Sequence, residues 1–299
     1  MKLTSILSPI RRDLGAVESF VLSDLKALRD RHLHRGEIPL SFAPVRHLFS
    51  SRGKSLRPAL LLLSSGAVSK SDSLQSDASH QAASVVELVH SASLIHDDVI
   101  DESNNRREIE SVHQKYGVKT AILAGDILFS HSFTVLKRLP NVSDAVKLEL
   151  FELFSELAKQ MCFGELLEQK HESGTDSLND YLRILDLKTA RLMSVSALAG
   201  AKLAGGNETQ VEAAGLFGFE FGMAYQLVDD FVDGDSIYRG NIDYPEVAKM
   251  RIERAKMQLS SIGGYEGGAS GWSSNAESID ENIFAESLGA LCDWVLEQS

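Results

Sequence analysis

Apolar residues return every three or four positions along almost the whole of this chain. That rhythm is what a helix needs to turn one oily side inward. Residues 13–32 carry Leu14, Val17, Phe20, Val21, Leu25 and Leu28 in this spacing. Further stretches run over 56–68, 79–102, 118–138, 143–171, 178–204, 208–234, 244–262 and 282–297. Strand-like alternation is scarce, and only 6 prolines interrupt 299 residues. The breaks at 69–77, 103–108, 140–144, 172–177 and 205–207 are rich in Gly, Ser, Asn or Asp, the residues that favour turns. Asp144, after Ser143, and Asn207 read as helix N-caps. Two sets of small residues at helical spacing (Ala190, Ser194, Ala197, Ala201 and Gly215, Gly218, Gly222) read as places where helix axes approach closely. No linker divides the chain, so the expected architecture is all-α, a single large helical bundle over residues 1–299. The segment 263–282, rich in Gly and Ser, reads as a mobile loop before a terminal amphipathic helix.

Composition narrows the function classes. Hydrophobic residues at 43% and charged residues at 24% fit a soluble globular protein. A formal net charge of −12 argues against unspecific nucleic-acid binding. Cys162 and Cys292, the 2 cysteines, make neither a disulfide framework nor a zinc site. The opening MKLTSILSPIRRDLG lacks the long apolar core of a signal peptide. The aliphatic run ALLLL at 59–63 is far too short to cross a bilayer. A cytoplasmic protein without a transmembrane segment is the expectation.

Against this background one pattern carries chemistry. Asp-Asp-x-x-Asp ends an apolar stretch twice, as Asp97-Asp98-Val99-Ile100-Asp101 and as Asp229-Asp230-Phe231-Val232-Asp233. Residues four apart share a helix face, one turn on. Clustered carboxylates repel one another and resist burial, so inside a fold they call for cations. Hard oxygen ligands favour Mg²⁺, which commonly bridges carboxylates to substrate phosphates. Two such faces across a cavity would clamp a diphosphate. A lone copy reads as well as a solvated helix end; two copies, each behind a buried-looking run, favour the metal site.

Other residues point to an anion. Lys54 and Arg57 in GKSLRP stand three apart at a helix start, a natural anion site, although solvated surface cations would look the same. Arg106 and Arg107 follow the first acidic cluster, as charge balance or as phosphate ligands. His90 lies two turns before Asp97. Lys188 and Thr189 interrupt an apolar helix, where a lysine either snorkels or serves a site. Gln226 shares a face with Asp229.

Together the segments GKSLRP, ELVHSASLIHDDVIDESNNRRE, SVHQKYGVKTAILAGDILFS, LDLKTARLM and FGMAYQLVDDFVD resemble the trans-polyprenyl diphosphate synthase family, the head-to-tail isoprenyl chain elongators. The resemblance covers about residues 50 to 235 and implies an isoprenoid-synthase bundle around a deep central cavity, usually a homodimer. It implies that Asp97 and Asp101 bind two Mg²⁺ and Asp229 a third, with Asp98, Asp230 and Asp233 in support. Arg106, Lys188, Thr189 and Gln226 would hold an allylic prenyl diphosphate. Lys54, Arg57, His90 and Arg107 would hold isopentenyl diphosphate. The implied activity is condensation of these two substrates, with Asp97, Asp98, Asp101, Arg106, Lys188, Asp229 and Asp230 as the catalytic set.

In the family, bulky aromatics four and five residues before the first motif block the cavity. Here Ser93 and Ala92 stand there, so a product of geranylgeranyl to solanesyl length is expected, with Phe129, Phe133 or Met161 as a deeper floor. After Asp233 the family's Gly-Lys elements are missing, and Arg239 is the available substitute cation in a shortened region 234–282. Two alternatives stay open. A non-catalytic subunit would not need both acidic motifs. A terpene cyclase would not need GKSLRP or Arg107.

Overall fold

A computed structural model describes residues 1–32, 43–50, 53–69, 77–106, 109–263 and 282–299. Helices follow one another as α1 (Leu3–Ile6), α2 (Arg11–His32), α3 (Ala43–Leu48), α4 (Leu56–Ser69), α5 (Asp77–Ile100), α6 (Val112–Tyr116), α7 (Val118–Lys137) and α8 (Asp144–Lys170). Then come α9 (Leu178–Leu185), α10 (Arg191–Leu203), α11 (Glu208–Asp233), α12 (Tyr244–Gly263) and α13 (Ile283–Leu296). The all-α expectation holds, with one small exception. Asn105–Arg106 and Ile109–Glu110 form an antiparallel ribbon, Arg106 facing Ile109.

Helix α4 is the axis of the bundle. Ala59, Leu60, Leu61, Leu62 and Leu63 have no exposed surface, because α2, α5, α10, α12 and α13 all pack around them. A helix apolar on every side is stable only when wrapped in this way. The small-residue stripes do pack closely. A Cβ on Gly218 would meet the Met193 carbonyl, and one on Gly200 the Leu61 carbonyl.

Local signals place most helix ends. Asn207 accepts from Gln210 N at 3.0 Å while Gln210 Oε1 accepts from Asn207 N at 3.1 Å, a reciprocal capping box. At α8 the cap is Ser143, whose hydroxyl accepts from Val146 N at 3.3 Å. Asp144 is the first helical residue instead of the cap, where its charge still suits the helix dipole. The stretch 178–204 is not one continuous helix. A π-turn over Asp186–Ala190 separates α9 from α10.

After α11 the chain does not wander. Gly234 takes φ 68° and ends the helix in a left-handed cap, where glycine carries no Cβ penalty. Thr175 then donates to Ile237 O at 2.8 Å, and Arg239 N donates to Thr175 O at 2.9 Å. The segment after the second acidic motif is thereby tied to the turn between α8 and α9. The expected loop at 263–282 falls, for residues 264–281, outside the described residues.

Candidate active site

Each acidic motif occupies the last turn of a long helix. Asp97 is on α5, and Asp101 follows in the next turn, its N–H donating to Asp97 O at 2.8 Å. Glu102 then takes φ 52°, and Ser103 N reaches back to Asp98 O at 3.0 Å. That left-handed stop points the chain into the short ribbon. From the ribbon Arg106 returns, and its Nε and Nη2 both lie 2.6 Å from Asp98 Oδ1. Asp98 has no exposed surface, so it anchors Arg106 from beneath while Asp97 and Asp101 stay on the open side. Its Oδ2 is buried and accepts nothing from the described residues.

Facing Asp97 is a lysine between two glutamates. Lys188 sits in the π-turn and pairs with Glu165 at 2.7 Å and with Glu168, both from α8. Insertions of this kind cost helix regularity and concentrate at functional sites. Burial pushes the Asp97 carboxyl up to about 6, opposed by Lys188 and reinforced by Glu165 and Asp101. The Asp101 carboxyl is raised for the same first reason, burial, with the same lysine opposing. A carboxylate group that has lost water and gained like-charged neighbours is short of positive charge.

The second motif ends α11. Asp230 is buried; it accepts from Tyr181 Oη at 2.5 Å and from Gln226 Nε2 at 2.7 Å. Gln226 Oε1 in turn accepts from Thr189 Oγ1 at 2.9 Å. Burial and the neighbouring Asp230 charge push the Tyr181 hydroxyl far up, so it stays a donor. Asp230 is thus a brace, whereas Asp229 is half-buried and Asp233 exposed. The Asp229 carboxyl is raised by burial, lowered by Lys54 and raised again by Asp233.

Three cavities are lined by these groups and the predicted substrate-binding residues. One, of about 500 Å³, runs from Asp97 and Lys188 down past Ala92, Ser93, Phe129 and Met161. A second, of about 200 Å³, is lined by Lys188, Thr189, Gln226, Asp229, Asp230 and Asp233. Lys188 is the wall common to both. A third, of about 390 Å³, holds Lys54, Arg57, Glu87, His90 and Tyr225, with Arg57 Nη1 3.0 Å from His90 Nε2. Lys54 and Arg57 both lower the Asp229 carboxyl, which ties this cationic cavity to the second motif.

Hard oxygens in a half-buried cluster are the donor set for Mg²⁺. Among the described residues, no group of three or more His, Cys, Asp or Glu side chains is gathered closely enough to hold an ion by itself. An ion here would be completed by water and phosphate oxygens, the usual arrangement for Mg²⁺. The donor chemistry therefore fits, with the substrate supplying the rest of the shell.

With the geometry in place, residues 39–237 match the profile of the polyprenyl synthetase family. The chain belongs to this family. It is 33% identical over 267 residues to solanesyl-diphosphate synthase 2, chloroplastic, of Oryza sativa subsp. japonica, which covers 84% of this chain and 65% of that protein. It is 34% identical over 199 residues to the geranylgeranyl diphosphate synthase of Sulfolobus acidocaldarius, covering 66% of this chain and 59% of that protein. The chain therefore spans less than two thirds of the length of these relatives. A decaprenyl diphosphate synthase from Rhodobacter capsulatus superposes with a TM-score of 0.78 over 99% of both chains at 22% identity. That likeness establishes the isoprenyl-synthase bundle and nothing finer.

The polyprenyl synthetase match stops near the point where the sequence leaves the family pattern, shortly after Asp233. Arg239 does not line the second cavity; its side chain crosses over Gly174 instead. Phe133 is a layer below the first cavity, edge-on to Phe129 with ring centroids 5.1 Å apart. Arg107 lies outside the described residues. Sequence reasoning missed Glu165, Glu168, Tyr181 and Tyr225. The two glutamates stand three apart on α8 and share a face, but α8 carries many acidic residues and nothing local singles these out. Tyr181 is far in sequence from the aspartate that it braces.

Proposed function

We propose that this chain is an Mg²⁺-dependent all-trans polyprenyl diphosphate synthase. It condenses isopentenyl diphosphate with an allylic prenyl diphosphate, to a product in the geranylgeranyl-to-solanesyl range. The observation that carries the reading is Lys188, one cation at the junction of two cavities that each bear an acidic motif. Family membership and the names of the relatives support it.

The roles follow from charge and place. Lys188, Thr189, Gln226 and Arg106 bind the allylic diphosphate. Lys54, Arg57, His90 and Arg107 bind isopentenyl diphosphate. Asp97, Asp101 and Asp229 would hold three Mg²⁺, with Asp98, Asp230 and Asp233 in support. The ions supply Lewis-acid stabilisation to the departing diphosphate. Lys188 must turn from its glutamates toward the substrate phosphate to add its own charge there. Cleavage of the allylic C–O bond leaves a carbocation, the isopentenyl double bond attacks it, and the proton lost goes to the released diphosphate. The apolar walls below Asp97 exclude the water that would quench the cation.

The assembly is a homodimer of a single synthase domain, residues 1–299. Ile122, Leu123, Phe151, Phe163 and Leu166 on α7 and α8 are exposed large hydrophobics, and an apolar patch of this kind marks an interface. Cytoplasmic residence completes the proposal. It is supported by two free thiols, Cys162 and Cys292, which suit a reducing compartment.

The test is incubation of the purified chain with isopentenyl diphosphate, a series of allylic primers and Mg²⁺. An elongated prenyl diphosphate is the expected product. Hydrocarbon formed from an allylic diphosphate alone would make it a cyclase. Turnover only after a second synthase is added would make it a subunit.

A further inference from the structure

We propose that Trp294, on the C-terminal helix, is a positioning residue that sets the affinity for isopentenyl diphosphate by holding Lys54 against Tyr225. The inference rests on the synthase reading and adds to it a residue outside the substrate cavities. Helix α13 runs back along α4. Near its start Phe284 stacks against Gly66, so closely that a Cβ there would meet the ring. Near its end Trp294 reaches the loop that precedes α4. There the Lys54 ammonium lies 5.4 Å from the Trp294 ring centroid and 5.3 Å from that of Tyr225. Lys54 Nζ also donates to Tyr225 Oη at 3.2 Å. Trp294 is only 6% exposed and does not line the cavity that holds Lys54, Arg57 and His90. It acts through the lysine or not at all.

The arrangement has a physical use. Lys54 is an exposed lysine on a short irregular segment, Gly53–Ser55, and a free lysine side chain loses much rotamer entropy on gripping an anion. Two aromatic faces and a hydroxyl restrict it beforehand. Cation–π attraction leaves the ammonium charge intact and its protons free to turn to a phosphate. The held position is close enough to Asp229 to lower that carboxyl, so the lysine is presented on the side of the second acidic motif. Preorganisation of a binding group shows up as affinity.

Removing the indole should therefore raise the KM for isopentenyl diphosphate by about tenfold, within the range of a partly desolvated cation–π contact. The allylic KM should move less than about twofold, since nothing on the allylic side touches the box. Trp294→Leu is the removal variant and Trp294→Phe the retaining one; the latter should recover most of the affinity and controls for folding. Binding is read without turnover from indole emission in a Trp272→Phe background, where Trp294 is the remaining tryptophan. Isopentenyl diphosphate should shift that emission, because a phosphate paired with the ammonium changes the electric field over the ring while Lys54 stays on it. Equal rises in both KM values, or an emission that binding leaves unmoved, would overturn the inference. If calorimetry finds no isopentenyl diphosphate binding to the wild-type chain, the synthase reading itself fails, a result distinguishable from the other two.

Discussion

At the scale of single residues, the site is governed by carboxyls that have lost their water. Asp97 is the clearest case, held up at about 6 from an ordinary 3.8, chiefly by burial. A carboxyl raised in the folded state binds more protons there than in the unfolded chain between those two values. The metal-free protein should therefore gain stability from this group as pH falls from about 6 toward about 4, the opposite sign to a salt-bridged carboxylate. Asp97→Asn cannot titrate, so it should flatten that part of the thermal-melt profile. A variant whose melting temperature follows pH just as the wild type does would show that Asp97 is not the buried, electrically crowded group described. Asp98 and Asp230, its neighbours in the two motifs, are already engaged by Arg106 and by Tyr181 with Gln226. The motif thus divides its labour, one aspartate braced inside and the others open to ligands.

At the scale of elements, small residues decide how near the two halves of the site can come. The Gly218 site on α11 packs on the backbone of α10, and α10 continues from the π-turn that carries Lys188. A methyl group there must displace backbone, so Gly218→Ala should destabilise the fold by about 1–3 kcal/mol, as overpacking does. Gly15 in α2 offers the contrast. A Cβ there meets nothing within 4 Å, so Gly15→Ala should stabilise by about 0.5–1 kcal/mol through helix propensity. Denaturant melts of the pair measure both signs. If Gly218→Ala proved as mild as Gly15→Ala, the close approach of α10 and α11 would not be the constraint described.

At the scale of the whole molecule, the bundle creates the cavity beneath Asp97 and leaves one flank uncovered. Ala92, only 2% exposed, lines the cavity of about 500 Å³ together with Ser93, Phe129 and Met161. Ala92→Phe should fill its upper part and shorten the main product, read by chromatography of the dephosphorylated prenols. A product of unchanged length would mean that the chain grows elsewhere. On the flank, Phe163 and Leu166 are 63% and 60% exposed. Phe163→Glu should turn the proposed dimer into a monomer in sedimentation equilibrium, since a charge desolvated in an apolar interface is costly. A dimer that survives this change would place the interface on another face.

The sequence by itself determined the long helices, most of their ends and the motif-bearing residues, because helical periodicity, capping and turn chemistry are local and legible over a few residues, whereas the short helices α1, α3 and α6 and the π-turn inside 178–204 carry too few turns to show a period. It also carried the family, since the two acidic motifs and their flanking cations are spelled out in order. Only the tertiary structure decided that Lys188 stands between Glu165 and Glu168 and that Tyr181 braces Asp230. The same holds for Arg106 on Asp98, and for Trp294 against Lys54. Most of those pairings join segments distant in the chain, and the nearer one, Arg106 on Asp98, depends on how the ribbon folds back, so no spacing rule links them. The raised carboxyls belong to the same category, because loss of water is set by everything packed around a group and by nothing in its immediate sequence.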